Sequence, residues 1–187
     1  ALRYQATHDQ LTGLANRSML LDELGRALAR TAAPGCDPGP LLLYLDLDGF
    51  KEINDSLGHQ AGDQLLRRVA QRLRSTCRSA DVIARMGGDE FAVTISNTAP
   101  GQPELYAERI VDALRQPIEI DGMKVHVGAS IGIAIQTESS ADSAAELLRQ
   151  ADMAMYAAKA QGRNRFVVFQ DPMAAGANRR FAIRSAL

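Results

Sequence analysis

Residues 85–95, RMGGDEFAVTI, set two glycines directly before Asp89 and Glu90 and follow them with an alternating apolar run. Phe91, Val93 and Ile95 fall on one face of a predicted strand, with Ala92 and Thr94 on the other. The preceding DVIAR also reads as a short strand, so the glycines are expected to make a hairpin turn, where positive φ is easily reached. Gly-Gly-Asp alone is ordinary turn chemistry. A third acid changes the reading. Asp46 ends the apolar run LLLYLD, at the carboxyl end of a strand, where α/β sheets commonly bind ligands. If that strand lies beside the 82–96 hairpin, Asp46, Asp89 and Glu90 converge. Acids gathered at the end of a sheet repel unless a cation neutralises them, and Mg²⁺ takes a few carboxylates together with substrate phosphates. The competing expectation is an acidic loop rim.

The elements that must position these acids are legible in outline. Asn16 is placed to cap a helix whose Met19, Leu20, Leu24 and Leu28 form an apolar stripe. TAAPGCDPGP then breaks the pattern as a loop. The continuous apolar run LLLYLD suits a central strand buried on both faces. After GFKEINDSLGH, Leu65, Leu66, Val69 and Leu73 mark a long helix, and Leu105, Ile110, Val111 and Leu114 mark another beyond the 82–96 hairpin. IEIDGMKVHV reads as a hairpin with Asp-Gly at its tip and runs into ASIGIAI. Ser143 and Glu146 form a capping box for a helix through Leu147, Leu148, Ala151 and Met155 that Gly162 can end. RFVVF is a last short strand. This order argues an α/β sandwich with a mixed central β-sheet flanked by helices, not a doubly wound parallel sheet.

At 187 residues the chain suits one domain with a full core. A net charge of −1 offers no bulk attraction to nucleic acid or to an anionic membrane, so an anionic ligand must be held by local positive groups. The two cysteines, Cys36 in a loop and Cys77 on a helix face, match neither a zinc spacing nor a disulfide framework. No apolar stretch reaches membrane-spanning length, and a reducing, cytoplasmic setting is expected. A chain that begins without methionine is expected to be a piece of a longer one, whose parent is free to be membrane-attached. Residues 171–187 follow as a linker or terminal helix.

GGDEF at 87–91 is the name-giving signature of the GGDEF family, the diguanylate cyclases, which this chain resembles. DQLTGLANR at 9–17, DLDGFKEINDSLGHQAGD at 46–63 and ADMAMYAAKAQGRNR at 151–165 extend the resemblance in family order and spacing. It implies a palm-like sheet, similar to nucleotide cyclases and polymerases, in a domain spanning residues 1–170. It also implies condensation of two GTP molecules into cyclic di-GMP with release of pyrophosphate. The metal positions carried over are Asp46, the Leu47 carbonyl, Asp89 and the adjacent Glu90, holding Mg²⁺ (or Mn²⁺), two ions per GTP site. Asp89 or Glu90 would accept the proton of the attacking 3′-hydroxyl.

Asn54 and Asp63 match the guanine-binding pair of the family. The chemistry agrees, since a carboxylate accepts from guanine N1–H and N2–H together, which adenine does not offer. Lys51, Lys159 and Arg163 match phosphate-contacting positions, and the amides near Gly49 and Phe50 suit an anion nest. As a glycine where bulkier residues are common, Gly49 keeps its amide open and its loop looser. Arg78 and Asp81 in RSAD, with Arg109 on the next helix, are similar to the family's inhibitory product site. There arginine pairs with phosphate and stacks on guanine.

Each domain holds one GTP, so the resemblance implies an antiparallel homodimer as the active species. Its covalent neighbours would be a sensory domain and, through the 171–187 tail, an EAL phosphodiesterase domain. Neither nucleic acid nor membrane is expected as a direct partner. Two other readings compete with catalysis: a silent GTP-binding domain that regulates a linked phosphodiesterase, and a pure dimerisation scaffold.

Overall fold

The computed structural model describes residues 2–31, 39–96, 102–136, 143–170 and 173. The element order is α1 (Leu2–Thr7), α2 (Arg17–Thr31), β1 (Leu41–Asp48), α3 (Phe50–Leu57), α4 (His59–Thr76), β2 (Val82–Gly87), β3 (Glu90–Ile95), α5 (Gln102–Arg115), β4 (Ile118–Ile120), β5 (Met123–Val125), β6 (Gly128–Ile135), α6 (Ala144–Ala160) and β7 (Arg165–Val168). Five strands form one sheet in the order β2-β3-β1-β6-β7, and β4 and β5 form a separate hairpin. β7 runs parallel to β6, while the other pairs are antiparallel, so the sheet is mixed as expected. The tail at 171–187 and the cysteine at position 36 fall outside the described residues, apart from residue 173.

β1 is the central strand because its sequence is apolar on both parities. Leu41, Leu43, Leu45 and Leu47 join the layer formed by α4 and α5, with Leu65, Val69, Leu73, Ile110 and Leu114. Leu42 and Tyr44 join the opposite layer, with Leu20 and Leu24 of α2 and Leu147, Ala151 and Met155 of α6. A strand sandwiched in this way has its pairing fixed, because a slip of one residue would exchange the two layers.

The helix signals hold with two adjustments. Asn16 caps α2 by accepting the Met19 N–H at 3.0 Å, and its own amide donates to the Ala6 carbonyl at 2.8 Å. Ser143 likewise accepts the Glu146 N–H at 3.2 Å. The reciprocal half of that capping box is absent, because the Glu146 carboxylate instead takes Arg149 at 2.7 and 2.8 Å. Leu105 does not belong to the core stripe of α5; it is 58% exposed. Pro103, Tyr106, Ala107, Ile110, Val111 and Leu114 make the buried face, at the spacings that one side of a helix requires. At the 121–122 tip, Asp121 (φ 49) and Gly122 (φ 79) are both left-handed, as a two-residue hairpin turn demands.

α6 sits unusually close to the sheet. A Cβ built on Gly132 of β6 would lie 1.9 Å from the Ala151 carbonyl oxygen and 2.2 Å from the Met155 nitrogen. Helix backbone rests on strand backbone there, and no flexible side chain can yield. Gly132→Ala is therefore expected to destabilise the domain by at least the ~1–3 kcal/mol typical of overpacked cores. Urea denaturation of the variant, which should show a lower midpoint at an unchanged slope, checks this.

Candidate functional site

The register of β1 against β3 sets Asp46 opposite Glu90, and the Leu47 N–H donates to the Asp89 carbonyl at 3.2 Å. Directly paired residues share a face. Asp46 and Glu90 therefore lie on the α2/α6 side, with Tyr44 two residues before Asp46. The Tyr44 hydroxyl donates to Glu90 Oε2 at 3.0 Å. Lys159, in the last turn of α6, reaches Asp46 Oδ2 at 2.6 Å. The register sets the three acids at one end of the sheet, and Lys159 is paired with Asp46 there.

Burial strains these charges. Asp46 is only 8% exposed, and burial pushes its pKa above the ordinary carboxylate range. The hydrogen bond from Lys159 opposes that shift, whereas the negative charge of Asp89 adds to it. Asp89 is likewise raised, chiefly by burial, against the opposing pull of its own amide and of Lys159. Tyr44 is pushed upward by burial and by the Glu90 charge, so it stays a neutral phenol able to donate. Among the described residues no three His, Cys, Asp or Glu side chains are grouped to hold an ion. Of the expected metal positions, Asp46 pairs across from Glu90 and feels the charge of Asp89, so a hard ion that takes few carboxylates would be completed by ligand oxygens.

The turn carrying Asp89 is braced from behind. Arg85 donates through Nε and Nη2 to the Gly88 carbonyl at 2.9 and 2.7 Å. Its Nη1 pairs with Asp9 at 3.1 Å. Asp9 Oδ1 also accepts the Thr12 N–H at 2.9 Å and the Thr12 hydroxyl at 2.6 Å. For Asp9 burial is the largest single influence and acts upward. The Thr12 bonds and the Arg85 charge together outweigh it and hold the carboxyl below its usual range. Sequence reasoning missed both Arg85 and Tyr44. A cation just before the glycines and a hydroxyl inside an apolar run, in phase with Asp46, were the available signals.

The expected ligand-binding residues lie on α3, on α4 and in the turn after α6. Gly49 (φ 81) opens α3, leaving the first-turn amides without a side-chain cap. Phe50 follows it half-buried, and Lys51 is exposed on the same turn. Asn54 and Asp63 sit on the facing helices α3 and α4, with Asp63 exposed. Asn54 Oδ1 is buried and has no hydrogen-bond partner among the described residues. A Cβ on Gly62 would lie 1.9 Å from that oxygen, so Gly62, also missed in the sequence, makes room for Asn54. Arg163 is exposed in the turn after α6.

A second cluster lies on the far side of the hairpin. The Arg78 N–H donates to Asp81 Oδ2 at 2.8 Å. The Arg78 and Arg109 guanidinium groups flank the Tyr106 ring at 5.0 and 5.5 Å from its centroid, within cation–π range. Arg109 also donates to the Thr76 carbonyl at 2.8 Å. Burial raises the Asp81 carboxyl, with Arg78 and Arg109 opposing. Cys77, beneath them, is pushed up to about 12 by burial and by Asp81, which leaves an inert thiol. The structure brings Arg78, Asp81 and Arg109 together, beside a cleft of about 320 Å³ that Arg78 and Asp81 line with His8, Met19 and Arg74.

The sheet order, the acidic turn and the helical layers define a palm-like nucleotide cyclase domain. Residues 6–165 match the family described as "Diguanylate cyclase, GGDEF domain", and the chain belongs to that family. It is 43% identical over 172 residues to the bifunctional diguanylate cyclase/cyclic di-GMP phosphodiesterase MucR of Pseudomonas aeruginosa, covering 92% of this chain and 25% of MucR. It is 45% identical over 176 residues to the diguanylate cyclase TpbB of Pseudomonas aeruginosa, covering 92% of this chain and 40% of TpbB. The chain thus spans a quarter to two-fifths of these relatives. Among solved structures, the GGDEF domain of TpbB superposes with a TM-score of 0.85 at 40% identity, covering 91% of this chain and 99% of the other. The coiled coil and GGDEF domain of DgcB from Caulobacter crescentus, in complex with c-di-GMP, gives 0.80 at 34% identity, covering 89% and 87%. Among the described residues no helix is long and apolar enough to cross a membrane.

The raised carboxyl at Asp89 has a thermodynamic signature. A group whose folded pKa lies above its unfolded value opposes folding once it ionises. The penalty is absent below the unfolded value near 3.8, grows as pH rises through the window between the two values, and is complete above it. Asp89→Asn is therefore expected to melt at a higher temperature than the unsubstituted domain at pH 7, with the gain vanishing near pH 3. Differential scanning calorimetry across that range, in metal-free buffer, measures it.

Proposed function

We propose that this domain is catalytically competent and condenses two GTP molecules into cyclic di-GMP, releasing one pyrophosphate for each phosphodiester bond formed. The observation that carries this reading is the meeting of buried Asp46 and part-buried Asp89, both with raised carboxyls, beside Lys159 at the end of the sheet. Such acids are placed to hold a cation rather than to face water. Mg²⁺ or Mn²⁺, two ions per site on Asp46, the Leu47 carbonyl, Asp89 and Glu90, would supply Lewis acidity toward the 3′-hydroxyl and the phosphates.

The chain's own residues do the remaining work. Asn54, seated against Gly62, and Asp63 read the guanine edge from α3 and α4. Lys51, Lys159, Arg163 and the amides of Gly49 and Phe50 gather the triphosphate. Asp89 or Glu90 takes the proton from the attacking 3′-hydroxyl, and the Tyr44 hydroxyl limits the orientations open to Glu90. Because each domain holds one nucleotide, the acting species is an antiparallel homodimer of residues 1–170. The 171–187 segment leads onward to further domains of a cytoplasmic signalling chain. A second reading, a silent GTP-binding domain governing a linked phosphodiesterase, draws on the likeness to bifunctional MucR.

Incubation of the purified domain with GTP and Mg²⁺ over a range of protein concentrations separates these readings. Cyclic di-GMP should appear at a rate per protomer that rises with concentration, and Glu90→Gln should abolish it while leaving the fold intact. GTP bound but recovered unchanged, even when a fused coiled coil enforces dimerisation, selects the regulatory reading.

Cyclic di-GMP is further expected to bind at Arg78, Asp81 and Arg109 and to inhibit without competing with GTP. Arg78→Ala should lose that inhibition in initial-rate measurements and weaken product binding in calorimetry, leaving the uninhibited rate unchanged. Unaltered inhibition would remove the site from the scheme.

A further inference from the structure

Asp48 ends β1 two residues after Asp46, yet its carboxylate is engaged elsewhere. Oδ1 accepts the Ser130 hydroxyl at 2.7 Å, and Oδ2 accepts the backbone N–H of Asn164 at 2.8 Å. Ser130 lies on β6 and is fully buried. Asn164 lies in the short connection between α6 and β7, next to Arg163. That connection is conformationally demanding, for Gly162 (φ 113), Arg163 (φ 61) and Asn164 (φ 48) are three successive residues at positive φ. Left-handed backbone in a residue with a side chain is unfavourable by roughly 1 kcal/mol or more and persists only where the surroundings over-determine it.

The Lys159 and Ala158 carbonyls accept the Gly162 and Arg163 N–H at 3.4 and 3.1 Å, and Asp48 takes the next amide, that of Asn164. The Asp48 carboxylate joins the floor of the sheet, through Ser130, to the amide immediately after Arg163. Space for this link is tight. Gly128 pairs with Asp48 across β1 and β6, and a Cβ there would meet Asp48 Oδ2 and Asn164 Oδ1 at 3.2 Å. The Asn164 Oδ1 atom is itself buried. The second aspartate of the Asp-Leu-Asp pair thus fixes a turn, while the first faces the lysine. We propose that Asp48 is a positioning residue that sets the backbone from which Arg163 reaches the substrate's outer phosphates. This rests on the reading of Arg163 as a phosphate contact in a GTP site.

The test uses two ligands that differ only where Arg163 would act. 3′-Deoxy-GTP carries the triphosphate but lacks the attacking hydroxyl, and GMP lacks the outer phosphates. Their affinities are measured with Mg²⁺ by calorimetry or competition for the unsubstituted protein, Asp48→Asn, Arg163→Ala and the double variant. Asparagine at 48 keeps the size but cannot accept both bonds. Asp48→Asn should weaken 3′-deoxy-GTP about tenfold, the worth of one hydrogen bond to a charged group, and change GMP by less than about twofold. In the Arg163→Ala background the same substitution should add little, because its effect passes through that arginine.

Equal losses for both ligands, or full additivity with Arg163→Ala, would overturn the positioning role. Should Asp48→Asn fail to fold, Ser130→Ala removes one anchor and should give a smaller loss with the same preference for the triphosphate ligand. An equal loss for both ligands there overturns the proposal as well. If the unsubstituted protein binds no 3′-deoxy-GTP, the cyclase reading itself falls.

Discussion

Antiparallel pairing of β1 between β3 and β6 is the constraint from which the site follows. β1 is buried on both faces, so its register cannot drift without exchanging one hydrophobic layer for the other. That same register places Asp46 against Glu90 and brings the Asp89 carbonyl to the Leu47 amide. Charge therefore appears where the apolar run stops, not in a loop free to turn outward. The apolar strand and the acids are one device: the first supplies the rigidity that lets the second be held at an unfavourable depth.

Each acid at that end is managed separately. Asp46 has the Lys159 ammonium, Glu90 has the Tyr44 hydroxyl, and Asp48 has a serine hydroxyl and a backbone amide. Asp89 relies on its own amide, and its turn is gripped by Arg85 through the Gly88 carbonyl. The arrangement fixes where the carboxylates stand while leaving Asp46 and Asp89 with raised pKa values, so positional order and electrostatic comfort are decoupled. A surface ion pair of the ordinary kind does not behave in this way, since solvent would screen it.

What the sequence disclosed follows from interaction range. The convergence of Asp46, Asp89 and Glu90 was legible because an apolar run, a Gly-Gly turn and strand alternation are local signals whose consequence is one sheet. The Asp121–Gly122 turn and the Asn16 cap are local too, and both were found. Leu105 was misjudged because a leucine beside a helix stripe looks like part of it, until the buried Tyr106 and Ala107 reveal the true phase. The capping box was half right because Arg149 competes for Glu146. Tyr44 and Asp48 were hard to read as supports, because the partners that define those roles, Glu90 and Asn164, lie 46 and 116 residues away. Arg85 reaches Gly88 only three residues on, but its second partner, Asp9, lies 76 residues away.

The link from Lys159 to Asp46 has a consequence for biosynthesis. Strand β1 leaves the ribosome well before α6, which lies some hundred residues further along the chain. A nascent domain that has emerged through β3 already owns its acids but not the ammonium that offsets the buried one. Burying Asp46 at that stage would leave an uncompensated charge, so closure of the sheet's end is disfavoured until α6 arrives and docks on Gly132. The order of translation and the order of assembly are thereby matched: the half-made domain is denied a finished nucleotide pocket, and only one that has acquired α6 can complete it.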